Sequence, residues 1–109
     1  NEISVNMRKK TGRITFNQTL SRVIKERGGY EYAALLHNSK GDVIIKLNDE
    51  SGVPVQDGTR SRENSNVCIH SITFTEKLVE FLGIERDYVI INVSEVAKTD
   101  DYVAYLVTK

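Results

Sequence analysis

The chain has 109 residues, enough for one hydrophobic core, and its 39% hydrophobic and 28% charged content is that of an ordinary globular protein rather than a disordered or fibrous one. Fifteen Lys and Arg against fifteen Asp and Glu leave no net charge, so no whole-protein field points to a polyanionic partner. A single cysteine excludes an internal disulfide, no apolar run is long enough to span a bilayer, and no signal-peptide pattern opens the chain; a cytoplasmic protein without a cofactor is expected.

In chain order, Ile3 to Met7 reads as a strand and Ile14-Thr15-Phe16 as a second. Leu20, Val23 and Ile24 then follow at i, i+3, i+4, one face of a short helix. Asn17 stands where a side-chain oxygen can accept from a free N–H of the first turn, and Gly28 where a left-handed residue ends a helix. Tyr32, Ala34 and Leu36 alternate with Ala33 and Leu35. After the Asn38-Ser39-Lys40-Gly41-Asp42 turn, Val43, Ile45 and Leu47 alternate with Ile44 and Lys46, the pattern of a hairpin. Residues 48–66, with Gly52, Pro54 and Gly58 among polar side chains, read as a surface connection containing a brief extended piece at Val53-Pro54-Val55.

The same order then recurs. Val67 to His70 reads as a strand, and Ile72-Thr73-Phe74 repeats Ile14-Thr15-Phe16 as another. Leu78, Phe81 and Leu82 take the helical positions of Leu20, Val23 and Ile24, with Thr75 as the cap and Gly83 as the stop. Val89, Ile91 and Val93, a turn around Lys98-Thr99-Asp100-Asp101, and Val103, Tyr105 and Val107 make a second hairpin. The expected organisation is one domain, mainly β with two short helices: a ββαββ repeat over 1–47, a linker over 48–66 and a second repeat over 67–109, sharing one core. Cys68 is expected to be a small buried hydrophobe.

Charge is uneven along the chain. Residues 1–55 hold nine Lys/Arg against six Asp/Glu, and residues 56–109 six against nine. Arg8, Lys9, Lys10, Arg13, Arg22, Lys25 and Arg27 stand against only Glu2 and Glu26 in the first thirty residues. Such a cluster is the footprint of phosphate-backbone contact, or simply a solvated basic face.

The stretch from Val5 through Arg8-Lys9-Lys10-Thr11-Gly12-Arg13-Ile14-Thr15-Phe16 to Arg22, with its hairpin, resembles the AbrB/MazE/SpoVT swapped-hairpin family. That family's pattern is a strand, a basic loop ending in Gly-Arg, an Ile-x-Ile/Phe strand, a short helix and a two-strand hairpin. Ser71 through Leu82, with Gly83-Ile84-Glu85-Arg86-Asp87-Tyr88-Val89-Ile90-Ile91, resembles the family's helix, its Leu-Gly-Ile turn and its third strand. The resemblance implies a pseudo-two-fold swapped-hairpin β-barrel folded from one chain, binding duplex DNA as a transcription regulator. It implies DNA contacts at Arg13, in the loop-arginine position, and at Arg22 on the helix; Arg8, Lys9 and Lys10 of the loop and Lys25 complete the candidate set. Ser21 occupies a neighbouring arginine position of the family, and in the second copy Ser71, Val79 and Glu80 stand opposite Arg13, Ser21 and Arg22. Association of two chains would restore a symmetric basic surface.

A protein-binding module or antitoxin-like component is the competing class, with candidate anchors among Tyr30, Tyr32, Tyr88, Tyr102 and Tyr105, although alternating tyrosines on strands are more often half-buried sheet residues. An enzyme is not expected: His37 and His70 lie in no recognisable arrangement with a nucleophile, and Cys68 with His70 lacks an orienting third group. No Cys/His spacing suits a metal.

Overall fold

A computed structural model describes residues 1–8, 11–56 and 66–108. The elements are β1 (Glu2–Asn6), β2 (Arg13–Phe16), α1 (Gln18–Glu26), β3 (Tyr32–His37), β4 (Val43–Asn48), β5 (Val53–Gln56), β6 (Cys68–His70), α2 (Ile72–Leu82), β7 (Tyr88–Lys98) and β8 (Tyr102–Thr108). These eight strands pair antiparallel in one closed barrel of order β1-β2-β6-β5-β3-β4-β8-β7, with β7 returning to β1. Strand alternation explains the closure: Ile3 and Val5, Ile14 and Phe16, and Val43, Ile45 and Leu47 all point inward and are buried, filling a barrel of this strand number with side chains. The mainly-β class with two short helices is thus the observed one.

The helices close the ends. β2 and β6 are antiparallel neighbours, so the chain leaves them at opposite ends, and each continues directly into a helix. Leu20 and Ile24 of α1 and Phe74 and Leu78 of α2 join the same buried cluster as the strands. At the first turn of α1, the Ser21 hydroxyl donates to the Phe16 carbonyl at 3.0 Å and accepts from the Val67 N–H at 2.9 Å, fastening helix to barrel. Among the described residues no helix is long and apolar enough to cross a membrane.

Several expectations need correction. Ile72-Thr73-Phe74 is not a strand but the first turn of α2. Its β-branched residues favour a strand, but the Ser71 N–H bonds the Gly12 carbonyl at 2.9 Å, and the Ser71 hydroxyl accepts from the Phe74 N–H. The ladder ends there and the helix begins. Ser71, not Thr75, is therefore the cap, and it stands where Asn17 stands in α1, whose side chain accepts from the Leu20 N–H at 2.8 Å. Ser71 is thus the counterpart of Asn17 rather than of Arg13. Thr75 is buried and donates to the Ser71 carbonyl at 2.8 Å. Val53–Gln56 of the connection is a barrel strand, β5, seated between β3 and β6. Residues 57–65 of that connection lie outside the described residues. Of the five tyrosines, Tyr30 and Tyr105 are buried and Tyr32 and Tyr102 half-buried, which leaves Tyr88 as the exposed candidate anchor.

Tyr105 packs edge-on against Phe16, with its hydroxyl buried and without a hydrogen-bond partner among the described residues. Burial pushes this phenol up to about 12, with Glu95 adding to the rise and Arg27 opposing it.

Two outcomes test this account. Ser71→Ala should lower stability by about 1 kcal/mol in urea denaturation, and an unchanged midpoint would reject Ser71 as the cap. The Tyr105 phenol keeps its proton to a higher pH in the fold than in the unfolded chain, so its contribution is complete below its ordinary value of 10.0 and is lost as pH climbs toward about 12. Tyr105→Phe should match or exceed the parent protein at neutral pH and lose less stability across that alkaline window; an equal loss in both proteins would contradict the burial argument.

Candidate nucleic-acid interface

Because Ile3 and Val5 face the interior, β1 turns Glu2, Ser4 and Asn6 outward; β2 likewise turns out Arg13 and Thr15 around buried Ile14 and Phe16. β6 presents His70 beside buried Ile69, and β7 presents Tyr88 and Ile90 beside buried Ile91. The registers then place Tyr88 opposite Asn6, Asn6 opposite Arg13, and Arg13 opposite His70. With strands about 4.8 Å apart, this lateral row runs about 14 Å across the outside of the barrel. Arg13, His70 and Tyr88 are exposed and Asn6 is half-buried, so all four side chains stand at the surface without a carboxylate among them. The next row, Ile90, Ser4, Thr15 and Cys68, carries no charge either.

The β1–β2 loop adds Arg8 to this row. Its guanidinium lies 5.1 Å from the centroid of the Tyr88 ring, a contact worth about 0.5–1 kcal/mol at an exposed site. The Asn6 side chain accepts from the Arg8 N–H at 2.8 Å, and the Arg8 carbonyl accepts from both the N–H and the hydroxyl of Thr11. Beyond them Gly12 turns with φ +57°, and a Cβ there would collide with the Ile72 backbone. Glycine lets the loop lie against the start of α2. Lys9 and Lys10 lie outside the described residues.

The other candidates sit elsewhere. Arg13 begins β2 and α1 starts after its far end, so Arg22 and Lys25 belong to the opposite end of that strand. Arg22 is exposed, and Lys25 is half-buried in the last turn of α1. Arg27 pairs with Glu95 of β7, tying the C-terminal end of α1 to the barrel. The Glu95 hydrogen bond is the main reason the Arg27 pKa is raised. That ion pair removes Arg27 from the free positive surface.

The structure therefore gathers Arg8 and Arg13 with three residues that sequence reasoning did not assign to nucleic acid: Asn6, His70 and Tyr88. Their kinship is one of register across strands distant in sequence, a signal that local periodicity does not carry. Cys68 shares a face of β6 with His70 but is buried, whereas His70 is exposed. Among the described residues no group of three or more His, Cys, Asp or Glu is placed to hold a metal ion. A second surface lies along the start of β7, where Ile84, Val89, Ile90 and Ile91, with Glu85 and Arg86, line a groove of about 440 Å³. No family model, curated protein or solved structure matches the chain.

Gly12→Ala tests how the loop is held. It should destabilise the protein by several times the roughly 0.5 kcal/mol of an ordinary surface change and shift the amide resonances of both Arg8 and Ile72. A thermal transition and spectrum like those of the parent protein would mean that the loop does not depend on this close approach.

Proposed function

We propose that the chain is a DNA-binding protein of the AbrB-like swapped-hairpin type, a single-chain pseudo-dimer acting in transcription regulation. The element order supports the repeat, since ββαββ occurs twice, as β1-β2-α1-β3-β4 and β5-β6-α2-β7-β8. Exchanging each strand for its counterpart turns the pair β1–β7 into β5–β3 and leaves β2–β6 and β4–β8 unchanged, which is the behaviour of a two-fold arrangement. Fusion of the halves makes their pairing independent of concentration.

The observation that carries the DNA reading is the acid-free row Tyr88–Asn6–Arg13–His70 with Arg8 stacked beside it. Guanidinium groups on an exposed sheet face suit phosphate oxygens, and amide and aromatic neighbours can fix the register of a backbone contact. Arg22 and Lys25 on α1 supply a second contact, whereas the residues that follow the buried Thr75 on α2 are Glu76 and Lys77, without net charge. The phosphates are thus met at two places on one side of the charge divide, and affinity for random duplex should be modest and strongly dependent on salt.

Fluorescence anisotropy with a random-sequence duplex tests this at low and moderate salt. Binding should weaken steeply with salt, by a slope of about 0.9 per neutralised phosphate. Arg13→Ala combined with Arg22→Ala should reduce affinity by about 10- to 100-fold and lower the slope by about two. Undiminished binding by the double variant would reject these contacts. Absence of binding by the parent protein would favour the second reading, a protein-partner module using the apolar groove beside exposed Ile90, whose association salt should hardly affect.

A further inference from the structure

We infer that His70, contributed by the half of the chain without the basic cluster, shares a phosphate with Arg13 and takes up a proton when it does so, making nucleic-acid affinity rise as pH falls. The inference rests on the DNA-binding reading and extends it to a residue and a regulation that the basic cluster does not contain. Arg13 and His70 are directly opposed across β2 and β6, and both are exposed. Opposed side chains on one face start about 4.5–5.5 Å apart at Cβ, so one phosphate group can accept from the guanidinium and the imidazole together.

The surroundings decide the direction of the effect. From β2 the charged neighbour of His70 is Arg13, and from the β1–β2 loop Arg8 lies further along the same row. β5, the other strand beside β6, consists of Val53, Pro54, Val55 and Gln56 and contributes no titratable group. α2 has no acidic residue in its first turn; Glu76 and Lys77 come in its second. Among the described residues, then, no carboxylate stands in the row or in the first turn of α2. A bound phosphate adds negative charge within hydrogen-bonding reach, which favours a protonated imidazole. Imidazole changes charge in the physiological range, so binding and proton uptake are linked there. Sequence position conceals this, because His70 and Arg13 come from different halves and meet only through strand pairing.

The experiment measures binding of the full chain to a random-sequence duplex between pH 6 and pH 8 at fixed ionic strength. His70→Gln and His70→Lys are compared with the parent, and His37→Gln controls for the other histidine, which stacks on Phe81 at 4.2 Å away from the row. The parent should bind about tenfold more tightly at the acid end, the equivalent of about one unit of pKa shift. Its salt slope there should be steeper by about 0.9. His70→Gln should bind with little dependence on pH, His70→Lys should bind tightly throughout, and His37→Gln should behave as the parent. If the parent binds duplex equally at both ends, or if His70→Gln keeps the same pH dependence, this inference is overturned while the DNA reading stands. If the parent binds at no pH, the DNA reading itself fails and the inference goes with it.

Discussion

Three residue pairs between β2 and β6, Arg13 with His70, Ile14 with Ile69 and Thr15 with Cys68, organise the molecule. A ladder this short is marginal by itself. It is extended at one end by the Phe16 N–H bonding the Val67 carbonyl and at the other by the Ser71 N–H bonding the Gly12 carbonyl, each at 2.9 Å. Since the strands run in opposite directions, each delivers its helix to a different end of the barrel, and both ends are capped by hydrophobic residues belonging to one core. Neither the β1–β2 hairpin nor the β5–β6 pair closes a barrel alone. Each has a free side, and the side is satisfied by a strand from the other half of the chain: β7 for β1, β3 for β5. Edge strands are a liability that closure removes, which ties the stability of each half to the presence of the other.

Much of this architecture was legible where side-chain chemistry acts locally. Alternation marked β3 and β4, and Asn38 marked their turn because its side-chain oxygen accepts from the N–H groups of Lys40 and Asp42, a device available to asparagine in any fold. Asn17 announced α1 for the same reason. Legibility failed where a tertiary partner chose between local options. Ile72-Thr73-Phe74 has the composition of a strand, yet Phe74 and Leu78 are also spaced as i, i+4, and the Gly12 carbonyl terminates the ladder one residue earlier. Val53-Pro54-Val55 was legible as a brief extended piece of the connection, but not as a member of the barrel. It forms β5 by taking two residue pairs from each neighbour, β3 and β6, and those partners are distant in sequence. Arg13 stood out in the sequence through its resemblance to the loop arginine of a known pattern, but His70 and Tyr88 did not, since the row that joins them to Arg13 exists only once four strands are aligned.

The two helices separate what the barrel demands from what it leaves free. α1 buries Leu20, Ser21 and Ile24, and α2 buries Phe74, Thr75 and Leu78, the same spacing counted from Asn17 and Ser71. In both, the middle residue is a hydroxyl that donates to a carbonyl at or just before the helix start, Phe16 for Ser21 and Ser71 for Thr75. A buried hydroxyl needs such an acceptor, so the position is constrained by desolvation. The next residue outward is Arg22 in one helix and Glu76 in the other, both exposed. Substitution there meets no packing requirement, and opposite charges are accommodated on one scaffold.

Charge asymmetry along the chain therefore does not translate into one basic and one acidic half of the barrel. Interleaving sets Arg13 of β2 between Asn6 of β1 and His70 of β6, and sets Tyr88 of β7 beneath Arg8. The second half thus contributes the ends of a row whose arginines come from the first. A row built only from the first half would hold two guanidinium groups on a two-strand edge. With β6 and β7 alongside, the same charges sit on a surface about 14 Å wide. α2 carries Glu76 where α1 carries Arg22, while the strand surface beside it holds Arg13 and His70 together, so the arrangement of surface charge follows the strand pairing rather than the division of the sequence.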